Sequence, residues 1–204
     1  IKKDYLTFQL SNINSGDSAS NYDKIHLLGN PPFGRQSSLV IKFIKKSCQF
    51  CDTISFILPK SFKKDSLKKH FPLNFHLLLE TDLPDNSFTI NQNCYHVPSI
   101  YQIWERRDIE REVPKKHQPI HFQFVKKTEH PDISFRRVGI NAGTIDKKIE
   151  NKSEQSHYFI KFNKPVNEAK FKKLSQITFQ SKNDTVGPRS ISKNELIKEF
   201  NTII

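Results

Sequence analysis

The run Lys24-Ile25-His26-Leu27-Leu28 meets Gly29 and then Asn30-Pro31-Pro32-Phe33-Gly34. Two consecutive prolines fix two φ angles and remove two backbone donors, so neither a helix nor an interior strand can run through them. An apolar strand must therefore end near residue 29 and leave its sheet through a stiff loop. A helix is predicted next, over residues 37–46, with a serine at its cap. Leu39, Val40, Phe43 and Ile44 share one apolar side of it, Ile41 sits at the margin, and Lys42, Lys45 and Lys46 lie opposite. Thr53-Ile54-Ser55-Phe56-Ile57-Leu58 reads as a second buried strand closed by Pro59. A polar helix over 61–70 and a third strand over 75–79 follow, and Val97 to Trp104 reads as a fourth strand. Repeated strand–helix–strand units predict an α/β fold with a mainly parallel sheet covered by helices.

From Glu105 to Gln118 the chain is almost wholly charged and contains Pro114-Lys115-Lys116, so a linker is placed there, with domains at 1–108 and 109–204. Beyond it the texture changes. Residues 121–125, 133–138 and 158–162 alternate as half-exposed strands do. Residues 166–174 and 192–200 look helical, and the Asn/Lys/Ser-rich stretch 146–156 reads as a mobile loop. This half is a small α+β module. It also carries the field: residues 106–204 hold 21 Lys/Arg against 12 Asp/Glu, nine of the twelve net positive charges of the 204-residue chain. A basic module beside a nearly neutral one suits a nucleic-acid enzyme, because counterion release from phosphates supplies much of the affinity.

No run of 18 apolar residues occurs and the first residues lack the apolar core of a signal peptide, so no membrane partner and a cytoplasmic or nucleoid-associated location are expected. Three cysteines are too few for a disulfide scaffold. Cys48 and Cys51, with Cys94 and His96, have zinc-like spacing, but Cys48 ends an amphipathic helix where a buried thiol is ordinary, so no metal site is expected. The lysine pairs at 45–46, 63–64 and 68–69 read as solvated helix faces. The chain starts at Ile1 and holds no methionine, where about four or five are usual at this length. A fragment, a processed chain or methionines lost as a modified residue is expected.

Asn30-Pro31-Pro32-Phe33 is the sharpest chemical signal. A match of this type directly after a strand arises by chance in fewer than about one in a hundred chains of this size. Its residues suit an exocyclic amine. The lone pair of an adenine amino group is delocalised into the ring and attacks poorly. Two acceptors aimed at its hydrogens draw the nitrogen toward a tetrahedral state and free the lone pair for a sulfonium methyl. The Asn30 side-chain oxygen and the Pro31 carbonyl are suitably spaced, Pro32 helps to preset the carbonyl direction, and Phe33 offers a ring for a base taken out of the duplex.

With this tetrapeptide the sequence resembles the N6-adenine DNA methyltransferases of restriction-modification type, whose catalytic motif reads Asn/Asp-Pro-Pro-Tyr/Phe. Gly34 with the following helix, and Phe56 to Phe62 with its Pro59 exit, resemble the family's next elements. The resemblance implies the carboxyl-terminal portion of a Rossmann-like methyltransferase sheet followed by a target-recognition-like module. It implies S-adenosylmethionine as cofactor and DNA as partner. Asn30, Pro31, Pro32 and Phe33 would be catalytic, and Asp4-Tyr5-Leu6 resembles the acidic-aromatic segment that touches the cofactor, so Asp4, Tyr5 and Asn30 would bind it. Arg136-Arg137-Val138-Gly139-Ile140-Asn141-Ala142-Gly143 and Thr185-Val186-Gly187-Pro188-Arg189-Ser190 resemble recognition elements, which makes Arg136, Arg137, Asn141, Arg189 and Ser190 candidate DNA contacts.

The chain departs from the family in one respect: the Gly-x-Gly cofactor loop, due upstream of residue 1 in this motif order, occurs nowhere. An upstream segment, a companion subunit, or a catalytically inactive nucleic-acid-binding remnant would each account for that. Methylation of RNA or of a protein glutamine uses the same tetrapeptide, and the basic half argues against protein. If the first strands are elsewhere, Leu27, Phe56 and Ile57 are expected to face solvent along an unpaired sheet edge.

Overall fold

The computed structural model describes residues 4–9 and 23–204. The chain divides into two compact units, Ile1–Val113 and Pro114–Ile204.

Unit one is a mixed α/β layer. Its strands are β1 (His26–Gly29), β2 (Thr53–Pro59), β3 (Phe75–Asp82) and β6 (Ser99–Arg106), with β4 (Phe88–Ile90) and β5 (Asn93–Tyr95) forming a separate hairpin. The helices are α1 (Ser38–Ser47) and the single turn α2 (Asp65–Lys68). The large sheet has the order β1-β2-β6-β3. Among the described residues its only parallel pair is β1 with β2, while β6 runs antiparallel to both β2 and β3. The expected mainly parallel sheet is thereby corrected. β1, β2 and β3 do share one direction, because residues 30–52 and 60–74 are long enough for crossovers. The fourth strand enters between β2 and β3 from the opposite end, since the connection from β3 folds back on itself as the β4–β5 hairpin. Asn91 and Gln92 at the tip of that hairpin have φ of 49° and 66°, the left-handed pair that a tight two-residue turn requires.

The core of unit one lies on one face of the sheet. Val40 and Ile44 of α1 meet Ile54, Phe56 and Leu58 of β2, Ile100 and Trp104 of β6, and Phe62, Phe71 and Phe75. Trp104 stacks on Phe71 with 4.1 Å between ring centroids. Phe56 is thus buried and Leu27 packs against this core, contrary to the expected exposure of both. Period-two alternation places Leu28, Ser55, Ile57, Tyr101, Ile103 and Leu79 on the opposite face, as the register Leu28↔Ser55, Ser55↔Ile103, Ile57↔Tyr101 and Leu79↔Ile103 requires. That face contributes nothing to the core, and Leu28 is 74% exposed.

Two sequence expectations near the unit boundary change. The polar stretch 61–70 is a 3-10 turn at Lys60–Lys63 followed by the short α2, not one helix. The charged segment from Glu105 is held to unit one by two arginines. The Arg106 guanidinium donates to the Cys48 and Cys51 carbonyls at 2.8 and 2.9 Å and lies over the Phe75 ring. Arg111 donates to the Phe75, Lys68 and Phe71 carbonyls and covers Trp104. A planar guanidinium satisfies several carbonyls and stacks on rings at once, which is why a run of charge docks here.

Unit two is an antiparallel sheet with helices on one face. β7 (Phe122–Val125), β8 (Ile133–Arg136), β9 (Ile145–Asp146) and β10 (His157–Phe162) take the order β7-β10-β8-β9. Helices α3 (Glu168–Ser175) and α4 (Lys193–Asn201) start at side-chain caps, Asn167 accepting from the Lys170 amide and Ser192 from the Glu195 amide. Their Leu174, Leu196, Ile197 and Phe200 close over Phe122, Ile133, Phe135 and Ile160. Residues 146–156 are tied down, not loose: Lys127 Nζ donates to the Glu150 and Lys152 carbonyls, and Lys152 pairs with Asp146 at 2.6 Å. Beside this strap His157 is buried, its Nδ1 2.9 Å from Ser156 Oγ and 3.1 Å from the Ser153 carbonyl.

Burial lowers the His157 pKa below the ordinary 6.5; the Ser153 carbonyl and Asp146 oppose that, and Arg136 and Lys152 reinforce it. The unfolded chain therefore takes up a proton first. Unit two should keep its full stability above pH 6.5 and lose part of it as the pH falls from there toward the folded-state pKa. Denaturant unfolding of the wild type and His157→Gln from pH 7.5 to about 5.5 checks this. A wild-type curve parallel to that of the variant would contradict it.

Candidate active site and nucleic-acid interface

Gly29 pairs with Phe56, so Asn30 and Pro31 run on beside the last residues of β2, at the carboxyl end of the two parallel strands. In open α/β sheets that end is where ligands bind. Pro31 is buried and Phe33 half-buried, whereas Asn30 is exposed. Among the described residues neither the Asn30 side chain nor the Pro31 carbonyl has a hydrogen-bond partner. Two acceptors next to each other in sequence thus have no partner among the described residues, on a backbone that the prolines stiffen.

The turn that follows fixes this loop. Gly34 has φ of 68°, and a Cβ there would stand 2.8 Å from Leu39 Cγ, so only glycine fits. Gln36 and Ser37, with φ of 53° and 61°, are left-handed without being glycine, a strain that is usually kept only where the surroundings demand it. Ser37 stands at the start of α1 but makes no side-chain cap bond, which corrects the expected serine cap; the Phe33 carbonyl accepts from the Val40 amide at 3.4 Å. The first turn of α1 is therefore stitched to the Pro-Pro-Phe segment itself.

Other elements open at the same end of the sheet. Lys60 and Lys63 hold Asp82, at the end of β3, at 3.3 and 2.6 Å, and Lys68 pairs with Glu80 at 2.9 Å. The Lys63 hydrogen bond, against some desolvation and with help from Lys60, keeps the Asp82 carboxyl below its usual range. Of the lysines expected as solvated faces, Lys63 and Lys68 are thus partly neutralised. The hairpin β4–β5 leaves from this end, with Ile90 and Tyr95 about half exposed. The sequence reading missed it.

Asp4 and Tyr5 lie elsewhere. Asp4 Oδ1 accepts from the Leu6 amide and starts a short 3-10 turn. Tyr5 stacks on Phe43 at 4.9 Å between centroids and its hydroxyl lies 2.8 Å from Ser47 Oγ, with burial pushing its pKa up to about 12. Ser47 ends α1, roughly 13 Å along the axis from the end stitched to Phe33. No described contact joins either residue to Asn30. Nearby, burial raises the Cys48 and Cys51 thiols to about 12 and about 11 despite Arg106, so both stay protonated. Cys94 is exposed on the hairpin.

In unit two the two arginine-bearing segments, about fifty residues apart in sequence, are brought together. Val138 bridges Ser190, the Gly139 amide donates to the Arg189 carbonyl at 2.9 Å, and the Ile191 amide donates to the Arg137 carbonyl. The backbones of residues 137–139 and 189–191 therefore run side by side, and the Arg136 and Arg189 side chains both reach the 138–140 turn, while Arg137 points to Gln155 and Tyr158. Each guanidinium is partly committed to a carbonyl: Arg136 to Val138, Arg137 to Gln155 and Arg189 to Ile140. Arg137 also lies over Tyr158. Elsewhere in unit two Lys147 pairs with Glu168 and Lys152 with Asp146. No family model, curated protein or solved structure matches this chain.

Proposed function

We propose that this chain is the catalytic and recognition part of an S-adenosylmethionine-dependent methyltransferase acting on adenine N6 in DNA. Unit one would be the carboxyl-terminal portion of a Rossmann-like methyltransferase sheet, and unit two its target-recognition module. The observation that carries the proposal is the pair of acceptors, Asn30 Oδ1 and Pro31 O, unpartnered among the described residues on a stiff loop at the carboxyl end of β1. Asn30 and Pro31 accept from the two amino hydrogens of an extruded adenine, and Phe33 stacks against its ring. S-adenosylmethionine supplies the methyl group as an electrophilic sulfonium. For the amine the residue set fits. For the adenosine half the two residues named from the sequence do not serve, since Asp4 is used by its own turn and Tyr5 by Ser47; in this reading a further segment or a companion subunit completes that part. A DNA substrate also accounts for a cytoplasmic or nucleoid-associated location.

The same placement of Asp4 and Tyr5 favours a second reading, a nucleic-acid-binding remnant that no longer binds cofactor. Calorimetry with S-adenosylmethionine, followed by recovery of N6-methyladenine from duplex DNA, tests the first reading. Heat and a methylated adenine support it; binding of DNA without either supports the remnant; methyl groups found only on RNA or glutamine redirect the substrate.

Residues 109–204 include all of unit two with its own core and should bind duplex DNA without unit one. Because the net positive charge is concentrated there, log Kd plotted against log salt should have a slope on the order of several units. Flat salt dependence, or no retention on DNA at about 50 mM salt, would contradict it.

A further inference from the structure

Ile140 is 77% exposed, more than any other large apolar side chain among the described residues. A single exposed isoleucine is ordinary; the mounting of this one is not. The Ala142 amide donates to the Gly139 carbonyl at 3.0 Å, which makes Ile140 and Asn141 the central residues of a tight turn. Both ends of the turn are anchored. Gly139, at φ 102°, is held by the Arg189 carbonyl, and a Cβ on it would stand 3.2 Å from the Arg136 guanidinium. On the other side Ala142 is buried in the core, and Gly143, at φ 100°, approaches Ile191 and Phe179 so closely that a Cβ would stand 3.3 Å from each. An apolar tip is thus held rigidly outward two residues from the hydrophobic core. Arg189 reaches under it to the Ile140 carbonyl at 3.3 Å, which engages one of the five donors of that guanidinium.

We infer that Ile140 is a wedge that enters duplex DNA between adjacent base pairs, with Arg136 and Arg189, the two guanidiniums at this turn, on the flanking phosphates. The inference rests on the DNA reading above and adds how the recognition module deforms its substrate. An apolar side chain gains by leaving water for a base stack only if the backbone behind it is stiff enough to hold the stack open, and only if nearby cations offset the cost of unstacking. The turn provides the first condition and Arg136 and Arg189 the second. A soft apolar loop would fail the first, and a wedge ringed by carboxylates the second.

Permanganate oxidation of unstacked thymines, on a mixed-sequence duplex bound by the full chain, reads this step. The wild type and Ile140→Leu should raise thymine reactivity. Ile140→Ser should lose the rise by about tenfold or more, while its affinity stays within about threefold and its salt slope is unchanged, because phosphate contacts are not touched. Phe33→Ala separates base extrusion at the other unit, since it leaves the Ile140-dependent signal in place. Retention of the signal in Ile140→Ser, or duplex binding by the wild type with no exposed thymine, overturns the wedge and leaves the DNA reading standing. No duplex binding at all, or binding to RNA alone, overturns both.

Discussion

Replacing Asn30 by alanine should lower single-turnover methyl transfer, in a cofactor-competent form of the protein, by at least about 100- to 1,000-fold, the usual loss when a positioned hydrogen-bond partner of a transition state is removed. Duplex affinity should change by less than about twofold, because Asn30 acts on the reacting amine and not on phosphates. The substitution is clean for a structural reason. Asn30 is exposed, with no side-chain partner among the described residues, so its removal leaves no buried group unsatisfied, and stability should hold within about 0.5 kcal/mol. Asn30→Asp keeps an acceptor at the same place and should retain part of the rate. A variant that folds, binds DNA and transfers at the wild-type rate with alanine at position 30 would remove the assignment of Asn30 and with it the main support for the proposed chemistry.

The strands of unit one were legible because each is an apolar run stopped by a residue that cannot continue it: Gly29 before two prolines for β1, Pro59 for β2. Helix α1 was legible from its apolar stripe. Direction was not. The run 97–104 reads alike in a parallel or an antiparallel sheet, and only the unrecognised hairpin at 88–95 decides that β6 comes back from the far end. That hairpin had a usable signal, the Asn91-Gln92 pair between short alternating runs, but it lacks the glycine that usually marks such turns. Charge also misled. Lys45-Lys46 and the segment from Glu105 look alike as sequence, yet Arg106 and Arg111 dock on carbonyls and aromatic rings that meet only in the folded sheet. At the candidate site the tetrapeptide needed no tertiary information, since strand end, diproline and aromatic ring are adjacent in the chain. The meeting of residues 136–143 with 185–190 was invisible, because nothing local pairs Val138 with Ser190. Asp4 and Tyr5 show the opposite limit. A short acidic-aromatic match says nothing about where the segment docks, and Phe43 and Phe50 on and after α1 offer it an aromatic surface.

Left to itself, the 204-residue chain should self-associate, and S-adenosylmethionine binding should appear only when a further segment or a companion subunit joins it. The cause is the face of the large sheet opposite α1, which no described helix covers. A sheet built from crossovers usually buries both faces. Here α1 and the 60–71 region serve one face, while Leu28, Ile57, Ile103 and Leu79 stand on the other, with Leu28 and Leu79 at 74% and 44% exposure. β1 is also an edge strand, so its outer backbone groups are unpaired within the described sheet and offer a template for another strand. Apolar surface and an open edge in one place favour a second copy of the same chain when nothing else is present. Of the three residues expected to be exposed here, Phe56 and Leu27 point into the α1 layer and Ile57, on the other face, is half-buried; the exposed residue is Leu28. Sedimentation of the isolated chain, with and without cofactor, measures the outcome, and Leu28→Lys should shift it toward monomer without disturbing the core, because Leu28 faces away from it. A compact wild-type monomer that binds S-adenosylmethionine at about micromolar Kd would show that the adenosine site lies within these 204 residues and would overturn the expected association through the open face.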